Sequence, residues 1–459
     1  MNDHVVLQQN PDPSTAVRGS YVWMVASVAA ISGFLFGFDT AVINGALVFL
    51  RRQFALNNVS TEIAASSLLL GCLIGAAGAG LFSDRFGRRR SLVGSALLFT
   101  ASAAGSATAN GLVVFSLARF VGGLAIGLAS ALTPIYISEV APRSSRGKLV
   151  SLNQLAIVLG ILVAYLTNWQ LAALGESSWR WMFGTAAIPS LGFLLGLAFI
   201  PESPRWLITH GQRDEGRAVL AKIAGPAEAD IELTAIELSV SEESGDPQEL
   251  FAPQMRPRVF VAVSLAVLQQ ISGINTVLYY GAVLFTEHFH GESAKTALGA
   301  NVLVGLVNLV CTLIAMVFID RWGRRGLFLV ASGGMAVSLS VLAFSLHFPA
   351  TPVAIMFGSV LLYVAFFAVG LGPGVWVYMA EIFPTRIRGR ATSVATSALW
   401  TACLVVTLTF LSIDEALGSS LTFLLYAALS LVTFVFVWKW VPETRGKSLE
   451  EIARMWGRG

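Results

Sequence analysis

The stretch DRFGRR at residues 84–89 returns as DRWGRR at residues 320–325. Glu139 and Arg146 follow the first copy, and Glu381 and Arg388 follow the second in the same order. Every matched pair lies about 240 residues apart. A chain that repeats itself at half its own length consists of two copies of one unit. Because the sequence between these charged marks is apolar, the pattern predicts duplicated membrane halves, an organisation typical of transporters.

The composition supports a membrane protein. Of the 459 residues, 55% are hydrophobic and only 12% are charged, whereas a soluble domain carries about a quarter charged residues. Twelve apolar stretches are long enough to cross a bilayer as helices, which need about 20 residues. They begin near Tyr21, Thr61, Ser91, Gly111, Leu149, Trp181, Pro257, Ala297, Leu327, Thr351, Ala391 and Ser419. Strands of a membrane barrel would alternate apolar and polar residues, and these stretches do not, so we expect an all-α membrane protein.

Lysine and arginine predict the orientation, because they accumulate on cytoplasmic loops. With the N-terminus inside, 25 of the 30 Lys and Arg residues fall on the inner side. Both termini are therefore expected in the cytoplasm. The formal net charge of +3 is too small to indicate a nucleic-acid partner.

These boundaries predict five parts. A cytoplasmic tail covers residues 1–20, and the first six-helix bundle covers 21–200. The linker spans 201–256, the second bundle 257–441, and a cytoplasmic C-terminal segment 442–459. Within the linker, charged residues alternate with Leu, Ile and Val, which favours short amphipathic helices under the membrane over a flexible connection.

Several motifs, in a fixed order, resemble the sugar porter family of the major facilitator superfamily. They include GFLFGFDTAVING, DRFGRRR, PESPRWL, QQISGINTVLYYG, DRWGRR, GPGVWVYMAEIFPTRIRGRA and PETRGKSLEE. The similarity runs from about Gly33 to Glu451 and is greatest to bacterial proton-coupled pentose and hexose symporters of the xylose type. It implies twelve transmembrane helices in two six-helix bundles, the major facilitator fold, with a cytoplasmic helical linker and a central sugar site.

The charged motifs of both halves map to one face. The positive-inside rule explains the Lys and Arg residues, but it does not explain why acidic residues recur at equivalent positions in both halves. We therefore expect a cytoplasmic latch of ion pairs that holds the bundles together while the cavity faces outward, as the resemblance implies. In the first half its members are Asp84, Arg88, Arg89, Glu139, Arg146, Glu202 and Arg205. In the second half they are Asp320, Arg324, Arg325, Glu381, Arg388, Glu443 and Arg445.

Two ionisable residues, Asp39 and Arg119, lie inside predicted spans, where charge is costly and usually functional. Their estimated depths, roughly 12–14 Å from the outer side at 1.5 Å per residue, let them pair. One interpretation is a static pair that fixes helix packing. The other is proton coupling, which the resemblance favours because proton-coupled members carry an acid at the position of Asp39.

The seventh span is unusually polar. Gln269, Gln270 and Asn275 supply amides, which both donate and accept hydrogen bonds and so suit sugar hydroxyls. Interhelical hydrogen bonding is the alternative explanation. The resemblance adds Gln154, Asn308, Trp376 and Trp400 to the substrate site and indicates an outer gate at Tyr279 and Tyr280. We also expect Gly273 to loosen the seventh helix and Gly370, Gly372, Pro373 and Gly374 to break the tenth before Trp376.

One position departs from the family pattern. Many sugar porters carry an amide just before the residue matching Trp400, and this chain has Leu399 there. The identity of the sugar therefore stays open.

The motifs predict neither an enzyme nor a protein that needs a metal or cofactor. A proton-independent sugar or polyol uniporter and a non-transporting sugar sensor remain the alternatives. The expected partners are a small sugar, a proton and the lipid bilayer, with the protein acting as a monomer in the cell inner membrane.

Overall fold

A computed structural model describes residues 13–142, 145–242, 250, 252–253, 255–288, 294–348, 350–384 and 387–447. Regular secondary structure in these residues is helical throughout. The helices of the first half are α1 (Pro13–Gln53), α2 (Asn58–Phe86), α3 (Arg88–Thr108), α4 (Leu112–Val140), α5 (Arg146–Leu171), α6 (Ser178–Gly184) and α7 (Ala187–Leu197). Three linker helices follow: α8 (Pro204–Thr209), α9 (Arg213–Ala224) and α10 (Pro226–Glu242).

The second half repeats the pattern. Its helices are α11 (Arg256–Ile271), α12 (Ile274–His288), α13 (Ala294–Trp322), α14 (Arg324–His347), α15 (Val353–Val369), α16 (Leu371–Ile382), α17 (Arg388–Leu417) and α18 (Ser419–Trp440). The first helix begins at Pro13, before the predicted start at Tyr21, so part of the predicted tail is helical. Proline is tolerated there because the first turn of a helix has no use for its missing N–H.

Within the described residues, eleven stretches are long and apolar enough to cross a membrane. One of them, Arg146–Leu197, has 52 residues, far more than one crossing needs. It folds back at Gly175, whose φ of +80° and ψ of −151° lie outside the helical region. This stretch therefore makes two passes, α5 and then α6 with α7. The expectation of twelve passes in an all-α membrane protein is confirmed.

Two passes are interrupted near their middles. The seventh consists of α11 and α12, which are separated at Gly273 with a φ of +88°. The tenth consists of α15 and α16, which are separated at Gly370 with a φ of −123° and ψ of −78°. Gly372, Pro373 and Gly374 lie within the first turns of α16 rather than at the break. Both interruptions expose backbone carbonyls inside the protein.

Glycines bring pairs of helices into close contact in the first half. A Cβ on Gly75 of α2 would lie 2.5 Å from the carbonyl oxygen of Leu124 in α4. A Cβ on Gly37 of α1 would likewise overlap the Ile157 carbonyl of α5. Small residues at such crossings let helix backbones approach each other, which is how helices associate where lipid replaces water. The outer surface is strongly apolar, and Leu81, Phe199 and Ile188 are each more than 70% exposed.

The linker folds on itself. A small apolar cluster of Leu220, Ala229 and Leu233 joins α9 to α10. Exposed ion pairs of 2.7 Å and 2.6 Å, Arg213–Glu237 and Arg217–Asp230, connect the same helices. The hydrogen bond from the Arg217 guanidinium lowers the pKa of Asp230. The prediction of helices in this part of the linker is confirmed.

Candidate functional site

The two helix breaks meet through Gln269. Its Nε2 donates to the carbonyl oxygens of Leu371 at 2.6 Å and Gly372 at 3.3 Å, just after the break in the tenth pass. The break in the seventh pass is held by Tyr363, whose hydroxyl donates to the Ser272 carbonyl at 2.9 Å. The carbonyls freed by the two interruptions are thus partly satisfied by side chains from neighbouring passes, as buried backbone groups require.

The predicted amides form one connected cluster. Gln270 Nε2 donates to Gln269 Oε1 at 3.2 Å. Asn275 Nδ2 donates to Gln270 Oε1 and to the Cys403 sulfur, the latter at 3.1 Å. All three amides are buried. A chain of amides that both donate and accept can exchange its internal hydrogen bonds for bonds to hydroxyl groups.

Within the part of the chain that the structure describes, the other predicted substrate residues make no hydrogen bond to this cluster. Trp400 of α17 is 3% exposed, its indole N–H has no hydrogen-bond partner among the described residues, and its ring lies 5.7 Å from that of Phe36. Asn308 of α13 is buried, whereas Gln154 of α5 and Trp376 of α16 are half-buried. Within the described residues, no hydrogen bond joins Gln154, Asn308 or Trp376 to the amides.

The predicted gate tyrosines lie on α12. Tyr280 is fully buried, donates to the Thr407 carbonyl at 2.8 Å and stacks on Phe410 at 5.4 Å. Tyr279 is also buried. These contacts fasten α12 to α17 within the second half.

Asn44 and Tyr165 of the first half also hold α12, and neither residue was predicted. Asn44 Nδ2 donates to the Leu278 carbonyl at 2.8 Å, and its Oδ1 accepts from the Ala282 N–H at 3.0 Å. The Tyr165 hydroxyl donates to the same Leu278 carbonyl at 2.9 Å. A signal for Asn44 was available, because it is a polar residue within the first span and the one Asn of GFDTAVING.

Asp39 and Arg119 form the buried ion pair that their depths predicted. Arg119 Nη1 contacts Asp39 Oδ1, and Nη2 donates to the Asp39 backbone carbonyl at 2.6 Å. The Arg119 side chain is 0% exposed and that of Asp39 is 8% exposed. The guanidinium also lies over the Phe183 ring, 4.9 Å from its centroid. Two helices of the first half, α1 and α4, are therefore tied at a charged point inside the apolar layer.

The helix ends that carry the repeated motifs, here called the charged face, show the same ion pair twice. Arg88 contacts Glu139 at 3.2 Å, and Ser203 donates to that Glu at 2.5 Å. In the second half Arg324 contacts Glu381 at 2.7 Å, and Thr444 donates to that Glu at 2.7 Å. The sequence repeat is thus also a repeat of side-chain contacts.

The remaining predicted latch residues hold helix ends or face outward. Glu202 accepts from the Arg89 N–H, and Glu443 accepts from the N–H groups of Arg324, Arg325 and Arg445. Asp84 bonds to Arg88 at 3.3 Å, Arg146 is exposed and Arg205 is half-buried. The side chains of Asp320 and Arg388 lie outside the described residues. The ion pairs Arg88–Asp84, Arg88–Glu139 and Arg324–Glu381 each join residues of one half.

The other ends of the helices, here called the opposite face, are joined across the halves. Glu62 of α2 is 2% exposed and accepts two bonds from Ser412 of α17, from N–H at 2.8 Å and from the hydroxyl at 2.7 Å. One turn earlier, Asn58 donates to Glu415 at 2.7 Å. The described conformation is therefore closed at the opposite face. None of these residues was predicted, because they belong to no repeated motif.

Comparison with known proteins agrees with this architecture. The family model described as "Sugar (and other) transporter" matches residues 25–456. The chain is 40% identical to the D-xylose transporter of Levilactobacillus brevis over 92% of this chain and 93% of that protein. It is 36% identical to the D-xylose-proton symporter of Escherichia coli (strain K12), covering 96% of this chain and 97% of that protein.

A solved structure is similar over nearly the whole fold. The inward open conformation of the xylose transporter XylE from E. coli matches with a TM-score of 0.83 and 35% identity, covering 95% of this chain and 100% of that one. The protein described here belongs to the sugar transporter family. It is a multi-pass transporter of the major facilitator superfamily, related to proton-coupled sugar symporters.

Proposed function

We propose that this protein imports a monosaccharide together with a proton, by exposing one central site alternately to the two sides of the cell inner membrane. The observation that carries the proposal is the buried Asp39–Arg119 pair. Charged side chains inside the apolar layer are costly and usually mark a functional site. The names of the relatives support xylose, arabinose or glucose as the type of cargo.

The charged face is assigned to the cytoplasm because it collects most of the Lys and Arg residues. The cross-half bonds at Glu62 and Asn44 then seal the outer side, so the described conformation is the one that faces inward. In the outward-facing state the charged clusters of the two halves approach each other and act as the latch. A monomer contains both halves and is sufficient for this cycle.

The sugar is held by exchanging hydrogen bonds. Gln269, Gln270 and Asn275 give up bonds to one another and to backbone carbonyls and take sugar hydroxyls instead. Gln154 and Asn308 add amides from the facing helices α5 and α13. Trp376 and Trp400 offer flat apolar surfaces and indole N–H donors, which suit the apolar faces and hydroxyls of a sugar ring. Tyr279 and Tyr280 close over the site from α12.

Asp39 carries the proton. When its carboxylate is ionised, Arg119 binds it and ties α1 to α4. When Asp39 is protonated, the pair loses its charge attraction, and the two helices can shift relative to each other. A membrane potential adds about 2.3 kcal/mol per charge per 100 mV, which is sufficient to drive accumulation of the sugar.

The test is uptake of labelled D-xylose, L-arabinose and D-glucose by proteoliposomes, with and without an imposed pH gradient. The wild-type protein should concentrate at least one sugar only when the outside is acidic. Asp39→Asn should lose accumulation but keep exchange of sugar at equal concentrations, and Asp214→Asn in the exposed linker should behave as wild type. Accumulation by Asp39→Asn would contradict the role of Asp39, and gradient-independent uptake by the wild type would indicate a uniporter.

A further inference from the structure

The Asp39 carboxylate is only half satisfied. Arg119 contacts Oδ1, but Oδ2 has no hydrogen-bond partner among the described residues. The Arg119 Nε–H likewise has none there. A buried polar atom left without a partner costs about 1–3 kcal/mol, and more when it is charged. Such atoms usually mark a functional site or the place of an ordered water.

Two serines of α3 have the same property. Ser102 is 2% exposed and Ser106 is 0% exposed, yet neither hydroxyl has a hydrogen-bond partner among the described residues. Serines in membrane helices ordinarily donate to a carbonyl of the preceding turn.

Other buried serines of this protein do so: Ser66, Ser190 and Ser332 donate at 2.6 Å, 2.7 Å and 2.6 Å to Glu62, Ala186 and Phe328 respectively. The hydroxyls of Ser116 and Ser178 also lack a partner among the described residues, but Ser102 is the one that shares a space with the ion pair.

Gly122 of α4 brings these groups together. A Cβ on this glycine would overlap the Ser102 hydroxyl and would lie 2.9 Å from Asp39 Oδ2. Both oxygens thus face the same small space, which exists because residue 122 has no side chain. A buried water needs two to four polar partners, and this space offers a carboxylate oxygen and a hydroxyl.

The two serines also form a line from this space toward the opposite face. The helix α3 starts at Arg88 on the charged face and ends at Thr108 on the opposite face. Ser106 is one turn beyond Ser102, roughly 6 Å closer to the opposite face at 1.5 Å per residue. It lies two positions before the end of the helix, where Arg180 donates to the carbonyls of Ala107 and Ala109 at 3.0 Å and 2.7 Å.

We propose that Ser102, Ser106 and water held beside Gly122 form a proton relay between Asp39 Oδ2 and the opposite face. This inference rests on the proposed function, since a relay has a purpose only if Asp39 takes up a proton. A hydronium ion at the end of α3 gives up a proton, and each hydroxyl or water accepts one proton and passes its own onward. An O–H bond forms at Asp39 Oδ2, and the donor becomes neutral water.

Two positive charges lie at the ends of this relay. Arg119 of α4 holds the other carboxylate oxygen. Arg180 places a positive charge at the end of α3. Because Ser106 is fully buried, the relay is closed to water at its outer end in this conformation. Proton entry therefore requires that the end of α3 becomes hydrated, which ties loading of Asp39 to the transport cycle.

The experiment measures two rates in proteoliposomes that enclose a pH-sensitive dye. One is the proton uptake triggered by the best transported of D-xylose, L-arabinose and D-glucose, and the other is exchange of that sugar at equal pH and concentration. Ser102→Val fills the space and removes the hydroxyl, so it should slow sugar-triggered proton uptake about tenfold or more while exchange stays as in wild type. Ser106→Ala removes a hydroxyl without adding volume and should slow the same rate by a smaller factor.

Thr100→Val is the matched control, because the Thr100 hydroxyl on the same helix donates to its own Ala96 carbonyl at 2.9 Å. It should leave both rates unchanged. If the wild type takes up protons with sugar and both serine variants do so equally fast, the relay is wrong and the proposed function stands. If the serine variants lose exchange to the same extent, the serines are structural and the relay is also wrong. If the wild type moves no protons with sugar, the proposed function itself fails.

Discussion

The charged face and the opposite face of this protein are held by different chemistry. At the charged face, ion pairs such as Arg88–Glu139 and Arg324–Glu381 recur in both halves, and between described residues each stays within its own half. At the opposite face, hydrogen bonds from Asn44 and to Glu62 run between the halves. One face therefore stiffens each half separately, and the other joins the halves in this conformation.

The contacts of the charged face follow from the internal duplication, whereas those of the opposite face serve to close the protein. The charged clusters are duplicated, so they show what the ancestral half already possessed. The contacts of the opposite face are asymmetric: Glu62 of one half meets a hydroxyl and an N–H of the other. If the two faces close in turn, weakening either face should favour the conformation in which that face is open. Substitutions at the two faces should then shift the equilibrium between the two conformations in opposite directions.

The largest effect is expected from Asn44→Asp. The amide that donates to the Val277 and Leu278 carbonyls would be replaced by a carboxylate, which repels both oxygens. Opening of the opposite face should become favoured by about 3 kcal/mol, or over a hundredfold. Spin-label distances across that face would show it. Thr40→Val is the control, since the Thr40 hydroxyl donates within α1 to Phe36 at 2.8 Å, and an equal shift in both variants would contradict the role of Asn44.

Ser412→Ala should come next. It leaves the buried Glu62 carboxylate with one hydrogen bond instead of two, and a bond to a charged group contributes about 1.5–3 kcal/mol. The opposite face should open about 10- to 100-fold more often, measured as the rate at which a thiol reagent modifies a cysteine behind it. Thr409→Val, which removes only a bond within α17 to Val405, should change nothing. Unaltered modification in Ser412→Ala would show that Glu62 does not hold this face closed.

Neutralising Glu139 should act in the other direction and more weakly. Glu139→Gln removes charge from the proposed latch, so the outward-facing state loses stability and the charged face opens more often. Because the Glu139 and Arg88 side chains are 9% and 14% exposed, the pair is partly buried, and a shift of a few-fold to about tenfold is expected. Glu176→Gln, at an exposed position between α5 and α6, is the control. If Glu139→Gln instead opened the opposite face, as Ser412→Ala is expected to do, the idea that the two faces close in turn would be wrong.

The smallest effect is expected in the linker. Arg217→Ala breaks the exposed pair with Asp230 at 2.6 Å, so hydrogen exchange in α9 and α10 should become slightly faster while transport stays unchanged. Because Arg217 lowers the pKa of Asp230, the contribution of this pair is present above the ordinary carboxyl pKa of about 4 and is lost as pH falls below it. The difference between variant and wild type should therefore shrink as pH falls through the lowered pKa of Asp230. A transport defect at pH 7 would mean that the linker takes part in closure of the charged face.

Much of the fold could be predicted because its signals are local. Length and hydropathy indicated twelve passes, the duplicated motif indicated two halves, and glycines indicated the interruptions at Gly273 and before Trp376. Of the four residues expected to break the tenth pass, the structure places the break at Gly370. There the backbone approaches α14 so closely that a Cβ would lie 2.6 Å from the Leu327 carbonyl, and no local pattern contains such a tertiary contact.

The site was predicted less completely. Asp39 and Arg119 stood out because charge is rare inside a span, and the amides of the seventh pass stood out by their number. Glu62 and Ser412 lie near the ends of their helices, where polar residues are ordinary, so only the packing of α2 against α17 reveals their role. The unpartnered hydroxyls of Ser102 and Ser106 are likewise invisible in a sequence, because serine in a membrane helix usually bonds to its own backbone.

The most direct test of alternating closure uses the two ends of α2 and α17. One spin-label pair, Val59→Cys with Leu417→Cys, reports on the opposite face, and another, Phe86→Cys with Gly389→Cys, reports on the charged face, with Cys72, Cys311 and Cys403 replaced by serine. Ser412→Ala should lengthen the first distance and shorten the second, and Glu139→Gln should do the reverse. Distances that change together, or at one face only, would contradict the account.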